Sequence, residues 1–393
     1  MKNILLPGLI DCHVHCREPG LTHKGDFQSE TRAALAGGVT TICDMPNTVP
    51  PTVTVEALKD KIARAARITD CDIRFFFGVA QPEHVEELEK AWSDPDLRKF
   101  LCGAKVYLDH STGDQKASYE AVEAAFELCG RLGIPVSCHC EDPGINAEAT
   151  RRNTRKDIAA HSIVRPPESE NVAVSTAIEL AKKFGTRLHV AHLSTAAAAE
   201  CVRRAKREGL PVTCEAAPHH LFLTTDDYAE LGTLGKMNPP LRSKEDQAAL
   251  WAAVADGTID CIATDHAPHL REEKERSAEP LNAPSGVPGA ETMLPLLLTV
   301  VAGGWPNPKP VLSGAEGHQI PNPKLTLDDI VRLCFENPNK IFSLGKKAED
   351  VQIEIDPAAE WTIRGKELHS KCGWTPFEGW RVMGKVVRII RSS

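Results

Sequence analysis

No stretch of these 393 residues approaches 18 consecutive apolar positions, so a hydrophobic transmembrane helix is excluded. Basic excess is missing too. The formal charge is −8, whereas a nucleic-acid or anionic-membrane surface would need a basic stripe. The one short basic run, residues 151–156, reads as a solvated helix face. The opening MKNILLPGLID lacks the long apolar region of a signal peptide. Although there are 13 cysteines, no CxxC pair occurs. Cys43, Cys138, Cys214 and Cys261 fall inside apolar, strand-like runs, where a thiol serves as a small hydrophobe. Free thiols in a reducing, cytoplasmic compartment are therefore expected.

What the sequence has in quantity is alternation. Short β-branched runs at 5–12, 39–45, 73–79, 103–108, 135–139, 187–192, 211–215 and 258–264 are separated by longer helical patterns. Gly37-Gly38, Gly133, Gly185 and Gly209 each close a helical stretch just before a strand. Eight such repeats favour an α/β fold, a (β/α)8 TIM-type barrel, over an open sheet. The barrel is assigned to residues 1–345. Residues 346–393, with strands expected at 351–355 and 382–390, would form a small β-rich satellite.

Such barrels carry their chemistry at the C-terminal ends of the strands. There the sequence places a constellation. His13 and His15 end the first strand as HVH, and residues two apart on a strand share a face. Both imidazoles then point to the barrel mouth, with Cys12, Val14 and Cys16 turned away. His139 ends the fifth strand, His192 the sixth and Asp265 the eighth. Each alone also fits an ordinary hydrogen-bonded core residue; together they suit zinc or a similar divalent ion in an open catalytic site. Lys105 ends the fourth strand in apolar surroundings. It either snorkels to solvent or sits neutral and captures CO2 as a carbamate able to bridge two metals. Two dications about 3.7 Å apart repel by roughly 18 kcal/mol even at an effective dielectric of ~20, so a bridging anion is called for.

The motifs HVHCREPG, DMPNTVPP, GAKVYL, CHCED, EAAPHHL, MNPPLRS and TDHAPH together resemble those of the dihydroorotases, within the wider cyclic amidohydrolases. The resemblance covers nearly the whole chain, and REPG after HxH with MPNT after the second strand is its most specific part. It implies two Zn2+ ions per chain: one on His13, His15 and Asp265, the other on His139 and His192. Lys105 would bridge them as N6-carboxylysine. It further implies reversible interconversion of N-carbamoyl-L-aspartate and L-dihydroorotate in pyrimidine synthesis. A hydroxide between the metals would attack the ring amide carbon, and Asp265 would move the proton. Arg17, Asn47 and His269 match substrate-contacting positions, with Asn238 a further contact. Arg17 is equally compatible with a surface ion pair, and Asn47 with a turn after Pro46.

Residues 109–116 are small and polar enough for a mobile lid in which Ser111 and Thr112 reach the substrate. The resemblance is strongest to the animal-type form fused to other pyrimidine enzymes. A homodimer and an association with aspartate transcarbamoylase are the partners it brings into view. In that form a cysteine preceding the sixth-strand histidine accompanies an extra metal; here Ala191 stands there, which argues against a third zinc although Glu215 is present. The competing readings are a hydantoinase or allantoinase, which shares the metals but not the carboxylate site, and an inactive scaffold, which should have lost ligands.

Overall fold

The computed structural model describes residues 3–110, 115–306 and 324–392. Its strands are β1 (Ile4–Pro7), β2 (Leu9–Val14), β3 (Val39–Asp44), β4 (Asp72–Val79), β5 (Leu101–Tyr107), β6 (Val136–His139), β7 (Leu188–Val190), β8 (Val212–Ala216), β9 (Cys261–Ile262), β10 (Val351–Thr362) and β11 (Arg381–Arg391). Strands β2 to β9 pair in sequence order as an eight-stranded parallel sheet. Its two edges meet where the His15 amide donates to the His266 carbonyl at 2.8 Å. The result is a nearly closed TIM-type barrel. A three-stranded antiparallel satellite sheet of order β1-β10-β11 packs beside it.

The helices between the strands follow their local signals. In the helix Tyr119–Leu132, Ser118 caps the Ala121 amide and Gly133 stops the helix with φ +68. Val122, Ala125, Phe126 and Cys129 lie on one stripe at helical spacing and are buried. Inside the barrel, Ile10, Cys12, Cys43, Met45, Phe76, Cys102 and Cys261 fill the lumen, and Phe335, Phe342 and Leu344 join the same cluster. All thirteen cysteines are free, and only Cys201 is not buried. Among the described residues no helix is long and apolar enough to cross a membrane.

Three details depart from the sequence-based expectation. The first strand is two strands in different sheets, because the chain passes from satellite to barrel at Pro7-Gly8. There the Gly8 amide bonds the Val351 carbonyl and the Leu9 amide bonds Gly38. A Cβ on Gly8 would stand 2.2 Å from the Thr40 hydroxyl, so the crossing needs glycine. Next, β2 carries a register shift against β3 between Asp11 and Val14. The extra residue breaks strict alternation, and Cys12 and His13 both reach the same carboxylate, Glu215. Cys12 is thus not turned away. Finally, the eighth barrel strand shrinks to Cys261–Ile262. Just beyond it, the Asp11 carboxylate accepts hydrogen bonds from the Thr264 amide and hydroxyl, fixing the turn that presents Asp265.

Candidate metal centre and active site

The strand ends bring His13, His15 and Asp265 together, each nearly inaccessible to solvent. Asp265 Oδ1 lies 3.0 Å from His15 Nε2 and 3.4 Å from His13 Nε2. What each imidazole does with its other nitrogen decides what these contacts mean. His13 Nδ1 is bound to Glu215 Oε1, and His15 Nδ1 donates to Asn47 Oδ1 at 2.6 Å. With its proton held on Nδ1 by Asn47, the His15 Nε2 is a bare lone pair aimed at a carboxylate oxygen. Burial pushes His15 down to about 4, against the pull of Asp265, so it stays neutral near pH 7. Burial alone would raise the Asp265 carboxyl, but the adjacent His13 pulls it below the usual range. Two ring nitrogens and a carboxylate oxygen converging on one point make an arrangement that a cation completes.

A second histidine pair adjoins the first. His139 Nδ1 lies 3.0 Å from His192 Nε2, and the His13 and His192 ring centroids are 5.1 Å apart. His139 is oriented by Glu141, which accepts from its Nε2 at 2.8 Å. Glu141 is gripped in turn by Arg165 through Nε at 2.9 Å and Nη2 at 2.6 Å. Burial opposes the Glu141 anion, yet Arg165 and His139 keep it charged far below the ordinary carboxylate range. Carboxylates behind metal-facing histidines fix ring orientation and raise basicity.

Lys105, on β5, is fully buried, and its Nζ makes no hydrogen bond. Burial pushes its ammonium below the usual lysine range, partly offset by Glu215 and Asp265. It does not snorkel. A buried amine with no hydrogen-bond partner, among carboxylates and imidazoles, fits the carbamate chemistry read from the sequence.

Among the described residues two clusters could hold metal: His13, His15 and Asp265, and beneath them Cys12, His189 and Glu215, in each of which the ligand atoms lie within 4.8 Å of one another. Glu215 links the two levels. Oε1 serves His13 and the His192 amide, while Oε2 accepts from His189 Nε2 at 3.0 Å and from Cys12 at 3.4 Å. Residue spacing does not reveal this bracket, because it depends on the β2 bulge.

The expected substrate contacts also assemble here. Arg17 is 1 % exposed; its Nε donates to the Pro268 carbonyl at 2.9 Å, and Nη2 stands 3.1 Å from His269 Nε2. Its third nitrogen, Nη1, has no partner. Arg17 is therefore no surface ion-pair residue. Asn47 is neither a plain turn residue nor free, since it orients His15. Asn238 Oδ1 is taken up by His161 at 3.0 Å and Ser285 at 3.2 Å, and its side chain lines one small cavity with His13, His15, His192 and Asp265. Ser111 and Thr112 lie outside the described residues. The preceding Asp109 is buried and anchored by Asn146 Nδ2 at 2.7 Å.

Backbone strain gathers at the same place. Of the four non-glycine residues with positive φ among those described, three are Arg17 (+68), His192 (+33) and Asp265 (+46). Left-handed backbone at non-glycine positions persists where the surroundings over-determine it, typically at functional sites.

An eight-stranded barrel with one candidate metal cluster at its mouth and a second beneath it fits a metal-dependent hydrolase class. The chain belongs to the Amidohydrolase family, whose model matches residues 4–352. It is 40% identical over 385 residues to a dihydroorotase of Halobacterium salinarum, covering 95% of this chain and 82% of that one. It is 38% identical to the multifunctional protein CAD of Squalus acanthias, covering 99% of this chain but 15% of that protein. Among solved structures, the L-hydantoinase (dihydropyrimidinase) of Arthrobacter aurescens matches with a TM-score of 0.88 and 28% identity, over 99% of this chain and 84% of that one. The protein is accordingly a cyclic amide hydrolase with a binuclear metal-binding motif, closely related to dihydroorotase and hydantoinase-type enzymes.

Proposed function

We propose that this enzyme is a dihydroorotase, interconverting N-carbamoyl-L-aspartate and L-dihydroorotate. The observation that carries the reading is Arg17 Nη1, a buried cationic donor without a partner beside the metal-facing histidines. A hydantoin offers no anion for it; dihydroorotate carries a carboxylate that takes no part in the reaction. The sequence relatives named dihydroorotase support the same choice, whereas hydantoinase folds support only the shared barrel and chemistry.

His13, His15 and Asp265 would hold one zinc ion, His139 and His192 the other, and Lys105, carboxylated on Nζ, would join them. When bound, such ions supply Lewis acidity and an activated water. Hydrolysis adds water across the ring C–N bond: oxygen goes to the carbonyl carbon, and a proton goes to the leaving nitrogen. Asp265 would carry that proton, and Oδ2 is the oxygen proposed for it because Oδ1 faces the two imidazoles. Arg17 and His269 orient the carboxylate, and the buried setting of both keeps that pairing strong.

The test is Arg17→Lys. A guanidinium can give two charge-assisted hydrogen bonds to a carboxylate, while an ammonium acts as one point charge. Losing such a contact costs about 2–5 kcal/mol, or roughly 30- to several-thousand-fold in kcat/KM. Dihydroorotate hydrolysis should fall by that factor with metal content unchanged, and a hydantoin should be turned over no worse than by the wild type. Intact dihydroorotate hydrolysis in the variant would return the hydantoinase reading.

A further inference from the structure

Tyr107 closes β5 two residues beyond Lys105, so on an alternating strand the two side chains share the barrel's inner face. The ring is well packed: Lys105 Nζ lies 5.0 Å from its centroid, and the His139 ring lies 5.9 Å away. The hydroxyl is not accommodated in the same way. The residue is 3 % exposed, yet its oxygen has no hydrogen-bond partner. Buried hydroxyls are nearly always paired, and those that are not call for an explanation. A phenylalanine would fill the same space without leaving a polar atom stranded.

The surroundings supply the explanation. Tyr107 lines the small cavity that also holds His13, His15, His192 and Asp265. Asp265 and Arg17 are the charges that act on its hydroxyl most strongly. Thus the orphan donor belongs to a residue that lines the same cavity as the metal-facing groups and packs against Lys105 and His139. We propose that the Tyr107 hydroxyl donates a hydrogen bond to the reacting carbonyl oxygen of the cyclic amide as negative charge develops on it. A fixed donor of this kind stabilises the transition state more than the ground state, so its contribution falls on kcat rather than on KM.

The inference rests on the reading that a cyclic amide is opened at this centre, not on which ring is preferred. The experiment is Tyr107→Phe in the metal-loaded enzyme, assayed on dihydroorotate, or on a hydantoin if that is what the wild type opens. A wild type inactive on dihydroorotate but active on the hydantoin would remove the dihydroorotase assignment and leave the Tyr107 comparison valid. The expected result is a fall in kcat of about a hundredfold, KM within about threefold, and metal content and thermal midpoint unchanged. Three results would each overturn the proposal: a kcat close to that of the wild type, a loss confined to KM, or a loss that tracks lost metal.

Discussion

Lys105→Ala should yield a folded barrel that has lost measurable hydrolysis and most of one metal ion per chain. The folding half of this expectation follows from the lysine's surroundings. Its amine is fully buried without a hydrogen bond, and an unpaired buried polar group costs about 1–3 kcal/mol. Removing it relieves that cost while opening a cavity, so the thermal midpoint of the metal-free variant should stay near that of the metal-free wild type. The functional half follows from charge. Without an anion at this position, two dications held there would be left with Asp265 as the anionic ligand among mostly neutral imidazoles. Short carboxylic acids supplied with bicarbonate should restore part of the activity by occupying the space of the missing side chain. Full activity in the alanine variant, with both metals retained, would eliminate the bridging role.

Asp265→Asn should lower kcat by a hundredfold or more, on the usual scale of general acid–base effects. Asparagine keeps the shape, and like aspartate it tolerates the left-handed backbone recorded at this residue, φ +46. The fold should therefore survive. What changes is chemistry: an amide cannot carry the proton, and its NH2 would satisfy the bare His15 nitrogen that otherwise faces a carboxylate oxygen at 3.0 Å. The wild-type directions should respond oppositely to pH. Forming the ring amide consumes a proton, so cyclisation gains as pH falls and hydrolysis gains as it rises. Near-normal kcat in the asparagine variant would take Asp265 off the proton path.

Much of this centre is legible in the sequence because strands convert spacing into direction. HxH, the isolated histidines at two further strand ends and a carboxylate after an apolar run all sit where a barrel must expose them. The structure indeed brings together His13, His15 and Asp265, and His139 with His192. Spacing fails where the strand is irregular. The bulge in β2 lets Cys12 and His13 share Glu215, which strict alternation forbids. Longer-range pairings were equally hidden: Arg165 behind Glu141, and Arg17 beside His269, are products of closing the barrel. Asn47 divides the two cases, since its place after Pro46 was visible but its bond to His15 was not. Tyr107 was within reach, because the two-residue rule that pairs His13 with His15 also pairs Lys105 with Tyr107. The split of the first strand depended on a satellite partner more than 340 residues away in sequence, as in Leu6 opposite Ile353.

On the dihydroorotase reading, the site is built around a carboxylate that does not react. Dihydroorotate and dihydrouracil differ only in that group, so their steady-state hydrolysis by the metal-loaded wild type, compared side by side, is the most direct measurement. kcat/KM for dihydroorotate should be at least about 30-fold above that for dihydrouracil, the lower end of a buried charge-paired contact. Equal rates, or a preference for dihydrouracil, would contradict it.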